Sequence, residues 1–211
     1  MRLRIAIAAV MTALTLATAG AAEAAKRPTG CHPRAAKTVI QNRNVRVFWV
    51  HDRLYACRSG VRRALLLARV HEGCPGESSQ GCDDVGNVRL AGRFVAVHRY
   101  EWHPGGSSAS VDLVDTAKRK RVRRWSTPSA DELFGEVTDM ELSSRGVAAF
   151  IARTAHSAPG ADWTYEVRTL GAQDDAVLDS GPDVEQGSLA LARDGTLYWT
   201  RAGRVRSAAL R

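Results

Sequence analysis

The sequence predicts an all-β chain made of repeated four-stranded antiparallel units of about 50 residues, the last unit incomplete. Three observations lead there. The segments "IQNRNVRVFW" (40–49), "LAGRFVAVHR" (90–99), "LSSRGVAAFI" (142–151) and "LARDGTLYWT" (191–200) align on the aliphatic anchors Ile40, Leu90, Leu142 and Leu191, spaced 50, 52 and 49 apart. In each, Arg43, Arg93, Arg145 or Asp194 comes three residues later, and Val45, Val95, Val147 or Thr196 opens an apolar run five residues later. Self-similarity at a fixed period signals a repeat architecture. After residue 24, no segment sustains the 3.6-residue period of an amphipathic helix. The one short turn of helix expected is "PSADELFGEV" (128–137), with Ser129 as its cap.

The elements follow in order. Residues 1–24 read as a signal peptide: Arg2 and Arg4 precede an apolar run from Ile5 to about Ala19, and Ala22-Glu23-Ala24 or Ala19-Gly20-Ala21 fits the small-residue cleavage pattern. The protein is therefore expected to be secreted, extracellular or in the cell envelope, with no stable membrane span after cleavage. The rival reading is retention of that run as an anchor, but the Thr-diluted stretch is marginal for a hydrocarbon core of about 30 Å. The whole chain carries +8, and without residues 1–24 it keeps 28 cations and 21 acids, +7. Basic charge favours anionic partners. Only four of the thirty cations are Lys (Lys26, Lys37, Lys118 and Lys120), an Arg-heavy usage that weakens charge as a functional signal.

An N-terminal segment (25–37) leads into units at roughly 38–70, 87–125, 137–181 and 187–211. Within a unit, an aliphatic strand ends in a turn holding Gly, Asn or Asp, the residues that tolerate positive φ. A second strand rich in Val, Phe, Tyr and Trp follows, such as "VRVFWV" or "VAAFIA". A third strand alternates ("RLYACRS", "SASVDLVD", "WTYEVRTL", "RVRSAAL"), and a fourth ("RRALLLA", "KRVRRW", "DAVLDSG") closes the first three units. The aromatics Trp49, Tyr55, Phe94, Phe150, Tyr165, Tyr198 and Trp199 fall within these strands and are expected to pack between neighbouring sheets.

Units of this length and strand count are the signature of propeller blades. The stretches "LAGRFVAVHRY…SVDLVDTAKRKRVRRW" and "LSSRGVAAFIAR…WTYEVRTL…AVLDSG" resemble blades of the TolB-like and WD40-like β-propellers of exported bacterial proteins. The resemblance covers nearly all of 38–211 and implies a small β-propeller-like domain of about four blades. The missing last strand is expected from the N-terminal segment near Cys31–Thr38. The other possibilities are an open meander, or half of a ring completed by a second chain.

Four cysteines, Cys31, Cys57, Cys74 and Cys82, fit two disulfides in an exported chain. The loop "CPGESSQGC" makes a local Cys74–Cys82 bridge easy to close and leaves Cys31 for Cys57. Zinc is the rival, but the close C-x₂₋₄-C pairs usual in zinc sites are missing.

The stretch "VHRYEWHP" offers a possible ligand loop, with His98, Glu101, Trp102 and His103. Imidazole and carboxylate bind metals, but His98 and His103 have opposite parity on a strand, so no metal site is expected. The run "TAKRKRVRRW" places Lys118, Arg119, Lys120, Arg121, Arg123 and Arg124 in a basic hairpin. On the repeat register it is an outer hairpin turn, with Val122 facing the neighbouring sheet, Arg121 and Arg123 pointing the other way, and Asp112 and Asp115 offsetting part of the charge. No G-x-S-x-G elbow, phosphate loop or dinucleotide fingerprint occurs, so no catalytic residue and no cofactor is assigned. The function expected is a secreted binding module for an unknown protein or polymeric ligand outside the cytoplasm, with nucleic acid disfavoured. The alternatives are a secreted hydrolase or lyase with its site at the propeller axis, and a basic surface-adhesion protein.

Overall fold

A computed structural model describes residues 30–70, 82–103, 106–127, 133–156 and 162–210. Among these residues the chain forms fifteen strands and no helix. The first unit is β1 (Lys37–Gln41), β2 (Val45–Val50), β3 (Arg53–Arg58) and β4 (Leu65–Arg69), paired in sequence order. The second is β5 (Cys82–Ala91), β6 (Phe94–His103), β7 (Gly106–Asp115) and β8 (Lys120–Ser126). The third is β9 (Leu133–Leu142), β10 (Ala148–His156), β11 (Thr164–Leu170) and β12 (Asp175–Gly181), and the fourth is β13 (Ala190–Leu191), β14 (Thr196–Arg201) and β15 (Arg204–Ala209). Pairing within each unit is antiparallel throughout.

The second and third units merge into one sheet where β7 meets β9 in parallel at Ser107 and Phe134. The Ser107 hydroxyl accepts from the Gly135 N–H at 3.3 Å and donates to the Gly135 carbonyl at 3.4 Å.

Several expectations change. The second and third units begin at Cys82 and Leu133, earlier than 87 and 137, because β5 and β9 run ten residues each into polar sequence. The second half of the expected helical turn, Leu133–Val137, is strand, since it pairs with Ala152–His156 on β10; residues 128–132 lie outside the described residues. The segment near Cys31–Thr38 does not supply the missing last strand: Lys37 and Thr38 pair with Trp49 and Phe48 inside the first unit.

The core lies in layers between units. Val45, Val47 and Leu54 of the first unit pack with Val95 and Val97 of the second. Leu113 and Trp125 of the second pack with Met140 and Phe150 of the third, the Trp125 and Phe150 rings 4.8 Å apart. Ile151 and Val167 of the third pack with Leu197, Trp199 and Leu210 of the fourth. This explains why β6 over Phe94–Val97 and β10 over Ala148–Ala152 are apolar on both faces: each lies between two neighbouring units, as strands covered on both sides do.

The outward face of the first unit is covered differently. Phe48, Tyr55, Cys57 and Ala64 pack under Cys31 and Ala36, and this cluster holds no residue of the fourth unit. The Cys31–Cys57 disulfide ties the covering segment down, and Arg46 donates to the Cys31 carbonyl at 2.7 Å while stacking over Phe48. Cys74 and its expected bridge to Cys82 lie outside the described residues. At the other end, β14 buries Leu197 and Trp199 on one face, while Tyr198, expected in the core, is 38% exposed on the other.

Candidate functional site

The first hairpin turns of successive units stand side by side. The Asn42 amide donates to the Gly92 carbonyl at 2.8 Å, and a Cβ built on Gly92 would lie 3.8 Å from the Ser144 Cβ. Arg145 and Ser144 share a hollow of about 380 Å³ with Arg193, Asp194 and Glu141. The repeat position that carries Arg43, Arg93, Arg145 and Asp194 is thereby drawn into one row at one end of the sheets.

At this end lies a groove of about 590 Å³, built where the turns of the second and third units meet the chain's last residues. Its apolar lining includes Phe94, Val122, Val147, Leu178 and Leu210, and its polar rim includes Arg93, Lys118, Arg145, Gln173 and Asp174. Gly146 fixes one wall. Its φ of +83° is a conformation side chains rarely adopt, and a Cβ there would sit 2.7 Å from the Phe94 ring. Asp115, 1% exposed at the groove's edge, accepts from the Ala117 N–H at 2.9 Å and pairs with Arg93 at 3.2 Å. Arg93 in turn stacks on Phe94, 4.9 Å from its centroid. Among the described residues, the side chains of Lys118 and Arg145 make no ion pair. Glu141, in the adjoining hollow, is raised above the usual carboxylate range by burial, with Asp139 reinforcing and Arg89 opposing the shift.

The stretch expected as a ligand loop lies on β6. On the unbroken β6–β7 ladder, His98 is buried between the second and third units, whereas Glu101 is exposed and lies 3.8 Å from Arg99. Trp102 is half-buried, in register with Ser107, and the side chain of His103 lies outside the described residues. No group of three or more metal-ligating side chains occurs among the described residues.

His98 is instead a neutral core group. It is 4% exposed, neither ring nitrogen has a hydrogen-bond partner among the described residues, and its ring lies so close to Gly86 that a Cβ there would be 2.4 Å from Nδ1. The bulge between Val85 and Val88 brings that glycine in. Burial pushes the His98 pKa down to about 4, against the partial pull of Glu136 and Asp84. The folded value lies below the unfolded one, so between about pH 6.5 and 4 the unfolded chain binds more protons and stability falls as pH falls. The expected loss from this group across that window is about 3 kcal/mol, and His98→Leu should flatten it. Urea midpoints of both proteins from pH 7 to 4 check this; equal slopes would refute it.

In the basic hairpin, β7 ends at Asp115 and β8 starts at Lys120. Its side chains depart from strict alternation, because Leu113 pairs with Arg123 and Val114 with Arg121, leaving Val122 as an extra residue. Arg121 and Arg124, which a regular strand would send to opposite faces, both reach Asp112. Arg124 donates twice, at 2.8 Å each, and Arg121 once, at 3.2 Å. Arg119 takes φ 54° in the turn and donates to the Arg63 carbonyl of the first unit at 2.8 Å. Lys118, Lys120 and Arg123 are exposed. The groove itself was not foreseen from sequence; the shared turn position of Arg93 and Arg145 was the signal that could have found it.

Fold and site together define an all-β chain of stacked antiparallel units with a turn-end groove. No protein-family model matches the chain, and no curated protein matches it. Among solved structures it is similar to Kluyveromyces lactis Hsv2 at 12% identity, over 82% of this chain and 67% of that one, with a TM-score of 0.30. A score that low supports no inference about fold or function.

Proposed function

We propose that the protein is an exported binding module, a propeller-like arc of the TolB/WD40 type that receives its partner at the turn end of its sheets. The observation that carries this reading is the groove of about 590 Å³ to which several turns and the C-terminal residues contribute. Ligand sites are commonly concave and mostly apolar, with a few placed polar groups. The Cys31–Cys57 disulfide is consistent with an oxidising compartment. No helix among the described residues is long and apolar enough to cross a membrane.

An enzyme is the second reading, favoured by the raised Glu141 carboxyl in the adjoining hollow, since perturbed acids cluster at catalytic sites. The test is turnover of chromogenic ester, glycoside and phosphate substrates by the purified chain and by Glu141→Gln. The binding reading expects no turnover by either protein; turnover that Glu141→Gln abolishes would replace it with the enzyme. The exported chain should begin at Ala22 or Ala25, as N-terminal sequencing would read.

A further inference from the structure

The groove's lining specifies what it would hold. Phe94, Val122, Val147 and Leu178 give it apolar walls, too many for a purely charged polymer, which would leave them facing water. Its cations are not equivalent. Arg93 is committed to the buried Asp115, whereas Lys118 and Arg145 lie exposed on the rim without an ion-pair partner among the described residues. Asp174 is the remaining acid of the lining and belongs to the β11–β12 turn.

We infer that the groove takes an extended acidic segment of a partner protein, with one large apolar side chain seated against Phe94, Val122 and Leu178 and flanking carboxylates on Lys118 and Arg145. This deepens the binding reading and rests on it. Charge complementarity at a rim steers encounter and selects partners, while the apolar anchor supplies most of the affinity. A polyanion such as polyphosphate would use the rim cations without the walls, so its binding would be indifferent to an apolar residue.

The experiment pans a random twelve-residue phage peptide library on the full chain, then measures selected peptides by fluorescence anisotropy. Two variants accompany the wild type: Ala172→Trp, an exposed turn residue whose indole would fill the groove, and the double variant Lys118→Glu/Arg145→Glu. Circular dichroism melts establish that both are folded. We expect peptides with Asp or Glu flanking Phe, Leu or Trp. Binding should fall at least tenfold in each variant, and at least tenfold when the peptide's apolar residue is changed to Ala.

Selected peptides that lose binding to Ala172→Trp but lack acidic residues would overturn the acidic–apolar proposal and leave the groove reading standing. Selection that yields no peptide sensitive to Ala172→Trp would remove both. Polyphosphate that binds wild type and competes with selected peptides regardless of their apolar residue would also overturn the proposal.

Discussion

The double variant Arg121→Ala/Arg124→Ala is expected to lose about 3 kcal/mol of stability, an effect on the scale of breaking a buried ion pair. Asp112 is 3% exposed in the middle of β7, and these two guanidiniums are its charged partners. The arginines lose less by separation, because 53% of the Arg121 side chain and 33% of the Arg124 side chain are exposed. The asymmetry makes a sharp control. Adding Asp112→Leu to the double variant removes the stranded charge and should recover most of the loss, as apolar replacement of buried ion pairs often does. Urea unfolding of wild type, double and triple variants measures this. A double variant within 0.5 kcal/mol of wild type would contradict the role given to the hairpin's charge. The outcome also bears on adhesion to anionic surfaces, since two of the hairpin's six cations are already ion-paired with Asp112.

Removing the Cys31–Cys57 bridge, as Cys31→Ser/Cys57→Ser, is expected to cost about 3.5 kcal/mol, from the chain entropy released to the unfolded state by opening a loop of this length. The bridge spans 26 residues and holds the segment that covers Phe48, Tyr55 and Ala64. Its loss should act locally first. Amide exchange in β2 and β3 should quicken, while β10 and β11, two units away, keep their protection. Exchange mass spectrometry reads both regions in one experiment. Uniform loss across the chain would mean that the covering segment holds the whole stack together rather than its first face.

The repeat and its turns were legible in the sequence because both rest on local chemistry. The anchor, the turn residues and the β-branched run each act within ten residues, so a period of about 50 survives divergence. Which faces are covered was legible only in part. "FVAV" and "VAAFI" are apolar at every position and are mostly buried, but "TLYWT" sets Leu197, Tyr198 and Trp199 in succession, and β14 buries the first and third while Tyr198 is 38% exposed. What stayed hidden depends on bulges and on distant chain. The bulge at Val122 turns two arginines onto one aspartate. His98 is kept neutral by burial, with its ring packed against Gly86, twelve residues upstream on another strand. The groove gathers residues from Arg93 to Leu210, so its lining has no linear signature.

The side-by-side placement of the first hairpin turns underlies the groove and the proposed function, and a single cross-link tests it. A Cβ on Gly92 would lie 3.8 Å from that of Ser144, close to the mean of about 3.8 Å for disulfides. The variant Gly92→Cys/Ser144→Cys is therefore predicted to form a bridge on mild oxidation, read by non-reducing peptide mapping. Gly60→Cys/Ser144→Cys serves as the comparison, since a Cβ on Gly60 meets nothing within 4 Å. It should leave its introduced thiols free. A bridge in the first variant alone is the expected result. Free thiols at 92 and 144 under the same conditions, in a folded protein, would contradict the stacking of the second and third units described above.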